Sequence, residues 1–349
     1  MSSNSLATKK PTPAPERFDK ALMSVLHALL LNPYIAPAFW LFSALGLTVL
    51  SPLLLWGACA VGGSMSLLRV LFKGPRTPIR DWSDEIILIT GGSHGIGAIA
   101  VETFSREKKA KAVVVLDLHP PEGVASNVKF YKCNVANKDE VHDVAARIIS
   151  EVGHPTALIN NAGVVNGKKL VDLNLVEIER TIAVNVLAHF YLIKEFLPGF
   201  IRANRGHIVT IASVLATIGS AHVTDYCASK FAVAGLNDSL RQELKGTNVH
   251  TSCIYPGLID SGMFQGVDHK MPWITPPLTP ERVAAEIVRT VQLGRSRSVR
   301  LPLYTYSGPI MQLLPIEISD FIRKVMGSND EMGHFKGSLS AAKPVRAVE

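Results

Sequence analysis

The hydrophobic pattern divides the chain into two parts that meet near residue 75. Ala21–Leu68 is a run of 48 residues without Asp, Glu, Lys or Arg, whereas about 20 apolar residues are enough for one helix to cross a bilayer. From Glu85 onward, short β-branched runs alternate with longer stretches of helical periodicity. The pattern therefore predicts a hydrophobic N-terminal segment followed by an α/β domain.

Seven short apolar runs predict the strands of a parallel sheet. Most of the runs are continuously apolar rather than alternating, which is typical of strands that are covered on both faces. The runs are Ile86–Thr90, Ala112–Asp117, Val128–Cys133, Ala157–Asn160, Gly206–Ser213, Val249–Tyr255 and Ser298–Leu301. Their alternation with helical segments predicts a Rossmann-type, doubly wound α/β fold.

The same pattern divides the chain into five regions. They are a polar tail (1–20), a hydrophobic membrane anchor (21–72), a linker (73–83), the Rossmann domain (84–305) and a C-terminal segment (306–349). In the last part, Tyr304–Met326 has the pattern of an amphipathic helix interrupted by Pro309 and Pro315. It predicts contact with a membrane or with a second copy of the chain, or packing on the core, and the final residues are expected to be disordered.

The hydrophobic segment is open to three interpretations. Basic residues lie on both sides of it, which favours a hairpin with both ends in the cytosol under the positive-inside tendency. A single span with an interfacial lead-in helix is the alternative, and a buried helical pair of a soluble protein is a third. The run begins well inside the chain and exceeds the roughly 7 to 15 residue apolar core of a signal peptide, so we expect it to be retained.

Charge and cysteine content narrow the function classes. The net charge is +7 and the pI is about 9.2, but the basic residues are dispersed, which favours an anionic membrane surface over nucleic acid. The four cysteines have no spacing typical of a zinc site or a disulfide framework. We therefore predict no metal site, no nucleic-acid partner and a cytosol-facing domain.

A glycine-rich loop follows the first predicted strand. Thr90-Gly-Gly-Ser-His-Gly-Ile-Gly97 precedes a helical run over Ala98–Lys109, and this placement is typical of a loop that holds a dinucleotide pyrophosphate at a helix N-terminus. Asp117 ends the second predicted strand, where a carboxylate accepts hydrogen bonds from ribose hydroxyls and repels a 2′-phosphate. The sequence therefore predicts NAD in preference to NADP. His119 and Lys108 or Lys109 nearby could soften that preference.

Four polar residues suggest acid/base chemistry. Tyr226 and Lys230 are four residues apart, so they share one face of a helix, and a lysine cation favours the phenolate form of a tyrosine. Ser213 closes the fifth predicted strand, and Asn185 lies in an otherwise apolar helical stretch. Turn capping for Ser213 and a buried structural amide for Asn185 are the alternatives.

These pieces, in this order, resemble the short-chain dehydrogenase/reductase family over about residues 84–305. The matching motifs are Thr90–Gly97, Asp117, Asn160–Gly163, Asn185, Ser213, Tyr226-x-x-x-Lys230 and Pro256–Gly257. The resemblance implies that Tyr226 is the general acid/base and that Lys230 tunes it and binds the nicotinamide ribose. It also implies that Ser213 binds the substrate oxygen, that Asn185 holds a relay water, and that Asn134-Val135, normally Asp-Val in the family, contacts adenine.

The motif and the resemblance together assign one set of residues to the cofactor. The set is Gly91, Ser93, His94, Gly95, Ile96, Gly97, Asp117, Asn134, Val135, Asn161, Ala162, Gly163, Tyr226, Lys230, Pro256 and Gly257.

Finer features are similar to the membrane-bound branch of retinol dehydrogenases and lipid-droplet 17-beta-hydroxysteroid dehydrogenases. That similarity implies oxidation of a hydrophobic alcohol with NAD at the endoplasmic reticulum or lipid-droplet surface, and family habit implies a homo-oligomer. Two rival functions are an NADPH-dependent ketoreductase of lipid synthesis, which Asp117 disfavours, and a catalytically idle lipid-droplet scaffold. The complete set of Asn185, Ser213, Tyr226 and Lys230 disfavours the scaffold.

The segment after the sixth predicted strand is apolar. Its apolar residues are Leu258, Ile259, Met263, Phe264, Met271, Trp273 and Ile274. In the family this region shapes the substrate pocket, so the resemblance implies a retinoid, steroid or long-chain lipid substrate. Packing of a lid against the domain is the alternative interpretation.

Overall fold

The computed structural model describes residues 78–264, 266–267, 270–272, 275–327 and 335. The predicted polar tail and membrane anchor lie outside the described residues, as do residues 73–77 of the linker and the pocket candidates Trp273 and Ile274.

A seven-stranded parallel sheet forms the centre of the domain. The strands are β1 Ile86–Thr90, β2 Ala112–Asp117, β3 Val128–Lys132, β4 Ala157–Asn160, β5 Gly206–Ile211, β6 Val249–Pro256 and β7 Arg297–Leu301. Their order is β3-β2-β1-β4-β5-β6-β7, and all six neighbouring pairs are parallel. The order reverses between β1 and β4, as in a doubly wound fold. The predicted fold class is confirmed, and the strand bounds differ from the predicted ones by at most two residues.

Helices cover both faces of the sheet. They are α1 Gly95–Glu102, α2 Lys138–Glu151, α3 Leu175–Ile182, α4 Ala188–Arg202, α5 Thr224–Glu243, α6 Pro280–Gln292, α7 Ser307–Met311 and α8 Ile316–Met326. Two π-helical turns interrupt the regular pattern: Thr103–Glu107 follows α1, and Ala183–Leu187 joins α3 to α4. The first helix thus begins at Gly95 rather than at the predicted Ala98, which places the last two motif glycines inside its first turn.

The core consists of two layers that share the sheet. Consecutive strand residues point to opposite faces, so Ile87 packs in the layer beneath α1 and α6 while Leu88 packs in the layer beneath α2 and α4. Phe196 and Phe200 of α4 are completely buried in the second layer. Burial of one such side chain contributes about 1.5–3 kcal/mol to the stability of the fold. The helices that carry the candidate site are therefore packed firmly on the core.

Packing of the domain begins before the first strand. Trp82 is 6% exposed, and its ring centroid lies 5.6 Å from that of Phe104. The Ile79 N–H donates a 2.9 Å hydrogen bond to the Gln292 carbonyl at the end of α6. Ile79 and Trp82 fall within the predicted linker, but in the structure they are part of the folded domain.

Among the described residues, one helical run is long and apolar enough to cross a membrane. It spans 28 residues, Leu175–Arg202, and half of its most apolar window is buried inside the domain. Leu192 and Phe196 of this run pack against the sheet. Core helices pass the same length and composition test, and this run belongs to the core.

The C-terminal segment forms three short elements rather than one helix. The 3₁₀ turn Leu303–Tyr306 leads into α7, and Pro315 separates α7 from α8 as the sequence predicts. Pro309 does not interrupt α7, because it lies near the start of the helix, where a missing N–H costs nothing. Leu313 and Phe321 are largely exposed, while the Arg323 guanidinium donates a hydrogen bond to the Gly219 carbonyl.

Candidate active site

The predicted site residues come from segments that follow the carboxyl ends of β1 to β6. Parallel strands present all their carboxyl ends at one edge, and ligands of open α/β sheets bind outside that edge at the point where the strand order reverses. In this chain the reversal lies between β1, which leads into the glycine-rich loop, and β4, which leads into Asn161–Gly163.

The glycine-rich loop has a shape that larger residues would not permit. A Cβ on Gly97 would lie 2.0 Å from the Gly91 carbonyl oxygen, so α1 can approach the end of β1 only with glycine at this position. Gly95 has φ +54°, and no atom lies within 4 Å of the position that a Cβ would take. His94 precedes the helix and makes no side-chain capping hydrogen bond. The first-turn N–H groups therefore form a cradle that fits an anionic pyrophosphate.

Asp117 lies beside this loop. The Ser93 N–H donates a 3.0 Å hydrogen bond to Oδ2 of Asp117, and the Leu118 N–H donates a 2.7 Å bond to Oδ1. The Ser93 hydroxyl also donates a 2.5 Å bond to the His119 carbonyl. The structure thus joins the predicted ribose-binding carboxylate to the predicted phosphate loop, two features that are far apart in the sequence.

Asn161 and Ala162 are tied to the end of β1. The Asn161 side-chain amide donates 3.0 Å hydrogen bonds to the carbonyls of Thr90 and Gly91. The Thr90 hydroxyl accepts hydrogen bonds of 3.0 Å from the backbone N–H groups of Asn161 and Ala162. Thr90 begins the glycine-rich motif but is not among the predicted site residues, although a polar side chain at the end of an apolar strand is a signal for such a role.

Asn134 and Val135 follow β3 at the same edge. Asn134 is exposed, and its side-chain oxygen accepts a 3.2 Å hydrogen bond from the Ala136 N–H. Its own N–H donates a 2.9 Å bond to Glu140. Val135 is buried in the core, so this pair supports the loop and leaves the Asn134 side chain at the surface.

Tyr226 lies in the first turn of α5, and the hydroxyl of Ser213 is near enough to act on the pKa of its phenol. Ser213 also accepts a 3.1 Å hydrogen bond from the Leu215 N–H and so caps the 3₁₀ turn Val214–Ala216. The turn-capping interpretation of Ser213 therefore describes the structure, and its binding of a substrate oxygen stays a prediction. Burial raises the pKa of Tyr226 above its ordinary value, and the Ser213 hydroxyl lowers it by less.

Lys230 lies one turn further along α5. Its Nζ is 5.4 Å from the centre of the Tyr226 ring and donates a 2.9 Å hydrogen bond to the Ile211 carbonyl. Burial lowers the pKa of Lys230 to about 8. Burial has the largest effect on the pKa of both groups in the protein alone, and the lowering of the Tyr226 pKa by Lys230 and the nicotinamide ring stays a prediction.

Asn185 lies in the π-helical turn between α3 and α4 and is completely buried. Its Nδ2 donates hydrogen bonds to the Val164 carbonyl (2.9 Å) and the Ser229 hydroxyl (3.0 Å), and its Oδ1 accepts from the Val164 N–H (2.8 Å). A Cβ on Gly163 would lie 3.5 Å from Asn185 Oδ1 and 3.7 Å from Lys230 Nζ. Gly163, Asn185 and Lys230 thus meet in one place. Ser229, which sequence reasoning missed, joins them.

Pro256 and Gly257 end β6 beneath a tyrosine from the C-terminal segment. The Gly257 N–H donates a 2.6 Å hydrogen bond to the Leu301 carbonyl. A Cβ on Gly257 would lie 2.2 Å from the hydroxyl oxygen of Tyr304. Tyr304 is not among the predicted site residues, because its position 47 residues after Gly257 carries no local signal.

Apolar side chains from several segments surround Tyr226. The cluster comprises Val165, Leu215, Val223, Cys227, Met263, Phe264, Val267 and Phe335. The rings of Tyr226 and Phe264 meet edge to face at 6.1 Å between centroids. Of the predicted pocket residues, Met263 and Phe264 belong to this cluster, whereas Ile259 is buried in the core beside Leu278. The packing alternative therefore holds for Ile259.

Comparisons with known proteins agree with this geometry. The family model described as short chain dehydrogenase matches residues 85–272. Epidermal retinol dehydrogenase 2 of Mus musculus is 33% identical over 276 residues, which cover 75% of this chain and 88% of that protein. Estradiol 17-beta-dehydrogenase 11 of Pongo abelii is 33% identical over 228 residues, covering 62% of this chain and 75% of that protein.

A solved structure has the same fold. The structure of 4-hydroxyisoleucine dehydrogenase complexed with NADH aligns with a TM-score of 0.54 at 24% identity, covering 62% of this chain and 97% of that one. The family-model match extends from the start of β1 into the segment after β6, and so includes the glycine-rich loop, Asn185, Ser213, Tyr226 and Lys230. This chain belongs to the short-chain dehydrogenase/reductase family of NAD(P)-dependent oxidoreductases, which act on CH–OH groups and the corresponding carbonyls.

Proposed function

We propose that this chain is a membrane-anchored, NAD-preferring enzyme that interconverts a hydrophobic alcohol and its carbonyl, with Tyr226 as the acid/base. One observation carries the proposal: the ring centre of Tyr226 lies 5.4 Å from Lys230 Nζ within an apolar cluster, and Ser213 acts on the pKa of its phenol. This arrangement holds a proton-transfer group and an oxygen-binding group together where a nonpolar molecule fits.

The cofactor fits the residues at the carboxyl edge. The cradle at Gly95–Gly97 suits the pyrophosphate, Asp117 suits the adenosine ribose, and Asn134-Val135 and Asn161–Gly163 form the neighbouring walls. Lys230 and Pro256–Gly257 lie at the nicotinamide end. When bound, the nicotinamide ring accepts or gives the hydride and, as NAD⁺, adds positive charge beside the phenol.

Proton transfer is the task of the chain's own residues. In the direction of alcohol oxidation, Tyr226 accepts the hydroxyl proton, and in the direction of carbonyl reduction it donates that proton to the oxygen. Ser213 holds the substrate oxygen beside the phenol. Because burial raises the pKa of Tyr226 in the protein alone, its function as a base at neutral pH requires nearby positive charge, which Lys230 provides in its protonated form. Asn185 fixes the segment behind Lys230 and is the proposed holder of a relay water.

The preference for NAD rests on Asp117. Its carboxylate is held beside the phosphate loop by the N–H groups of Ser93 and Leu118. A fixed negative charge there attracts ribose hydroxyls and repels a 2′-phosphate. NADP is the alternative cofactor, and His119 is the residue nearest in sequence that could favour it.

A hydrophobic substrate fits the apolar cluster around Tyr226. Phe264 and Met263 after β6, Leu215 after β5 and Phe335 near the C-terminus all contribute to it. The relatives named for retinol and estradiol indicate the same class of molecule. A retinoid, a steroid or a long-chain lipid alcohol is therefore proposed.

Membrane anchoring rests on the uncharged run Ala21–Leu68. Its basic flanks favour a cytosol-facing catalytic domain at the endoplasmic reticulum or the lipid-droplet surface. The large exposed side chains of Leu313, Ile316 and Phe321 in the C-terminal segment fit contact with the same apolar surface or with a second copy of the chain.

The test uses the full-length chain in detergent. We would measure NADH and NADPH formation with retinol, steroid and long-chain alcohols, and the reverse reaction with the matching carbonyls. Tyr226→Phe removes only the hydroxyl and should reduce turnover by about 10²–10⁴-fold, the usual worth of a positioned acid/base. Tyr131→Phe is the matched control, because the Tyr131 hydroxyl bonds Glu151 at the far edge of the sheet.

Each outcome bears on a different part of the proposal. Normal turnover of the Tyr226→Phe protein would remove Tyr226 from the mechanism. Activity with NADPH alone would contradict the role of Asp117 and favour the ketoreductase. Full-length protein that binds NADH but turns over none of these substrates would favour the scaffold.

A further inference from the structure

Asp225 is a buried carboxylate that the proposed mechanism does not use. It lies in the first turn of α5, directly before Tyr226, and only 5% of its surface is exposed. Acidic side chains are almost never this buried unless other groups satisfy them. The positive end of the α5 dipole provides part of that compensation. Two neutral side chains bond one of its oxygens, Oδ2, while the other, Oδ1, has no hydrogen-bond partner among the described residues.

These two side chains belong to other segments. Oδ2 of Asp225 accepts a 2.7 Å hydrogen bond from Asn166 Nδ2 and a 2.8 Å bond from the Thr181 hydroxyl. Thr181 lies in α3 and is completely buried. Asn166 Nδ2 also lies 2.9 Å from Thr181 Oγ1, so the three side chains form a closed triangle.

A second contact repeats this pattern one turn further along both helices. Asn185 donates to Ser229, and this pair is separated by 44 residues, as is the pair Thr181 and Asp225. Because residues four apart share a helix face, the two contacts form a polar ladder between α3–α4 and α5. Its first rung consists of Asn166, Thr181 and Asp225, and its second rung of Asn185 and Ser229. Tyr226 lies directly after the first rung, and Lys230 directly after the second.

Both rungs also bind the segment that follows β4. Asn166 belongs to the first rung, and in the second the backbone N–H and carbonyl of Val164 each form a hydrogen bond with the Asn185 side chain. This segment begins with Asn161–Gly163, the part that the proposed function assigns to the cofactor. The first rung therefore connects the helix turn that carries Tyr226 to the wall of the cofactor site.

We infer that Asp225 is a positioning residue that, through Thr181 and Asn166, fixes the phenol of Tyr226 relative to the cofactor site. This inference rests on the proposed function, in which Tyr226 transfers the proton. Asp225 has no role in binding the substrate or the cofactor, so its loss should reduce the rate constant of the bound complex more than the affinity for the alcohol.

The experiment compares substitutions that remove the first rung with substitutions that keep it. Asp225→Ala removes the oxygen that accepts both hydrogen bonds, whereas Asp225→Asn keeps an acceptor oxygen in place. Thr181→Val removes the donor at nearly constant shape, and Thr181→Ser retains it. Asp238→Ala is the matched control, since Asp238 is an exposed carboxylate on α5 that pairs with the exposed Arg241. All are made in the full-length chain, and kcat, KM and the pH dependence of kcat are measured with NAD and an alcohol that the wild type oxidises.

We expect Asp225→Ala to lower kcat by about 10- to 100-fold, because a displacement of about 1 Å in a reacting group has effects of this size. The KM for the alcohol should change by less than about threefold, the signature of an interaction that matters after binding. The pH at which kcat rises should move to a higher value in Asp225→Ala than in the Asp238→Ala control, because a displaced phenol lies further from the Lys230 cation. Asp225→Asn and Thr181→Ser should restore most of the rate, and Thr181→Val should lose rate in the same manner as Asp225→Ala.

Two results would overturn the inference. One is a kcat of the folded Asp225→Ala and Thr181→Val proteins equal to that of Asp238→Ala. The other is an equal loss in the conservative and the non-conservative variants with an unchanged pH profile, which indicates a general loss of folding. If Asp225→Ala does not fold, the Thr181→Val and Thr181→Ser pair decides alone. If the proposed function itself is wrong, the Tyr226→Phe protein keeps its activity, so this failure is distinguishable from failure of the inference about Asp225.

Discussion

The two halves of the site, on either side of the point where the strand order reverses, are built in opposite ways. In the cofactor half, the loop after β1 is shaped by the absence of side chains, since a Cβ on Gly97 would meet the Gly91 carbonyl at 2.0 Å. In the catalytic half, α3 to α5 are held by buried polar side chains such as Asn185 and Asp225. The first half is therefore sensitive to added atoms and the second to removed ones.

The halves also differ in how burial acts on charge. Asp117 in the cofactor half is held by backbone N–H groups at the rim of the domain. In the catalytic half, burial raises the pKa of Tyr226 and lowers the pKa of Lys230 to about 8. Both shifts disfavour the charged forms that proton transfer needs. The catalytic half thus gives up stability for function.

The largest expected effect follows from removing the buried charge of Lys230. The pKa of Lys230 is lowered from 10.5 to about 8 in the folded protein, so the unfolded chain binds more protons between these values and stability rises with pH across this window. Below about pH 8 the destabilisation is complete and amounts to about 3 kcal/mol at about 1.4 kcal/mol per pKa unit. Lys230→Met should therefore stabilise the NAD-free protein at pH 7 while reducing turnover by about 10²-fold or more.

Thermal unfolding at several pH values tests this expectation. The wild-type protein should gain stability between pH 8 and 10 relative to Lys230→Met, whose curve lacks this contribution. Lys245→Met is the control, because Lys245 is exposed just after α5. A Lys230→Met protein that is less stable than wild type at pH 7 and has the same pH dependence would contradict the prediction.

The next prediction concerns the cofactor half, where the substitution adds a methyl group instead of removing a charged group. Gly97→Ala should cost about 1–3 kcal/mol of stability, because the methyl group meets backbone rather than a movable side chain. The displaced helix start should also weaken NADH binding by about tenfold or more, at roughly 1.4 kcal/mol per tenfold change. Fluorescence titration with NADH and thermal unfolding measure the two effects.

Gly235→Ala provides the comparison for this substitution. Gly235 lies in α5 with open space where its Cβ would be, so alanine should raise stability by about 0.5–1 kcal/mol through helix propensity. Equal behaviour of the two variants would mean that the close approach of α1 to β1 is not required.

The smallest expected effect concerns Asn134. The resemblance implies Asp at this position, and the Asn134 side-chain oxygen accepts its hydrogen bond from the Ala136 N–H, which an aspartate would do equally well. Asn134→Asp should therefore change the KM for NAD by less than about threefold, within the range of surface substitutions. Steady-state kinetics with varied NAD measures it. A change of tenfold or more would show that the cofactor half depends on this side chain beyond its turn.

The fold is predictable because its signal is local. A strand that is covered on both faces is apolar at nearly every position, as in Ile86–Thr90, and such runs separated by helical patterns predict a parallel sheet. The edge strands β3 and β7 also carry charged residues such as Lys129 and Arg300. The π-helical turns at Thr103–Glu107 and Ala183–Leu187 are not predictable, since an inserted residue leaves the helical pattern nearly unchanged. After Leu301 the sequence marks the break at Pro315 but wrongly suggests a second one at Pro309, which lies near the start of α7.

The site residues also divide into those that the sequence identifies and those that it does not. The glycine-rich loop and the Tyr226/Lys230 pair are motifs within one segment, so their residues are identifiable from the sequence alone. Asp225 and Thr181 are ordinary polar residues in the sequence, and only the packing of α3 on α5 brings them within 2.8 Å of each other. Tyr304 over Gly257 is a similar case.

By itself, the sequence determined the sheet, the order of its strands along the chain, the identity of the cofactor loop and the residues proposed for chemistry, because these depend on neighbours within a few positions. Tertiary structure alone decided which side chains support them. It placed Asp117 beside Ser93, and it assembled Asn166, Thr181 and Asp225 into one rung. The physical reason is that a buried polar group must find its partners in space, and those partners lie wherever the packing of the helices places them.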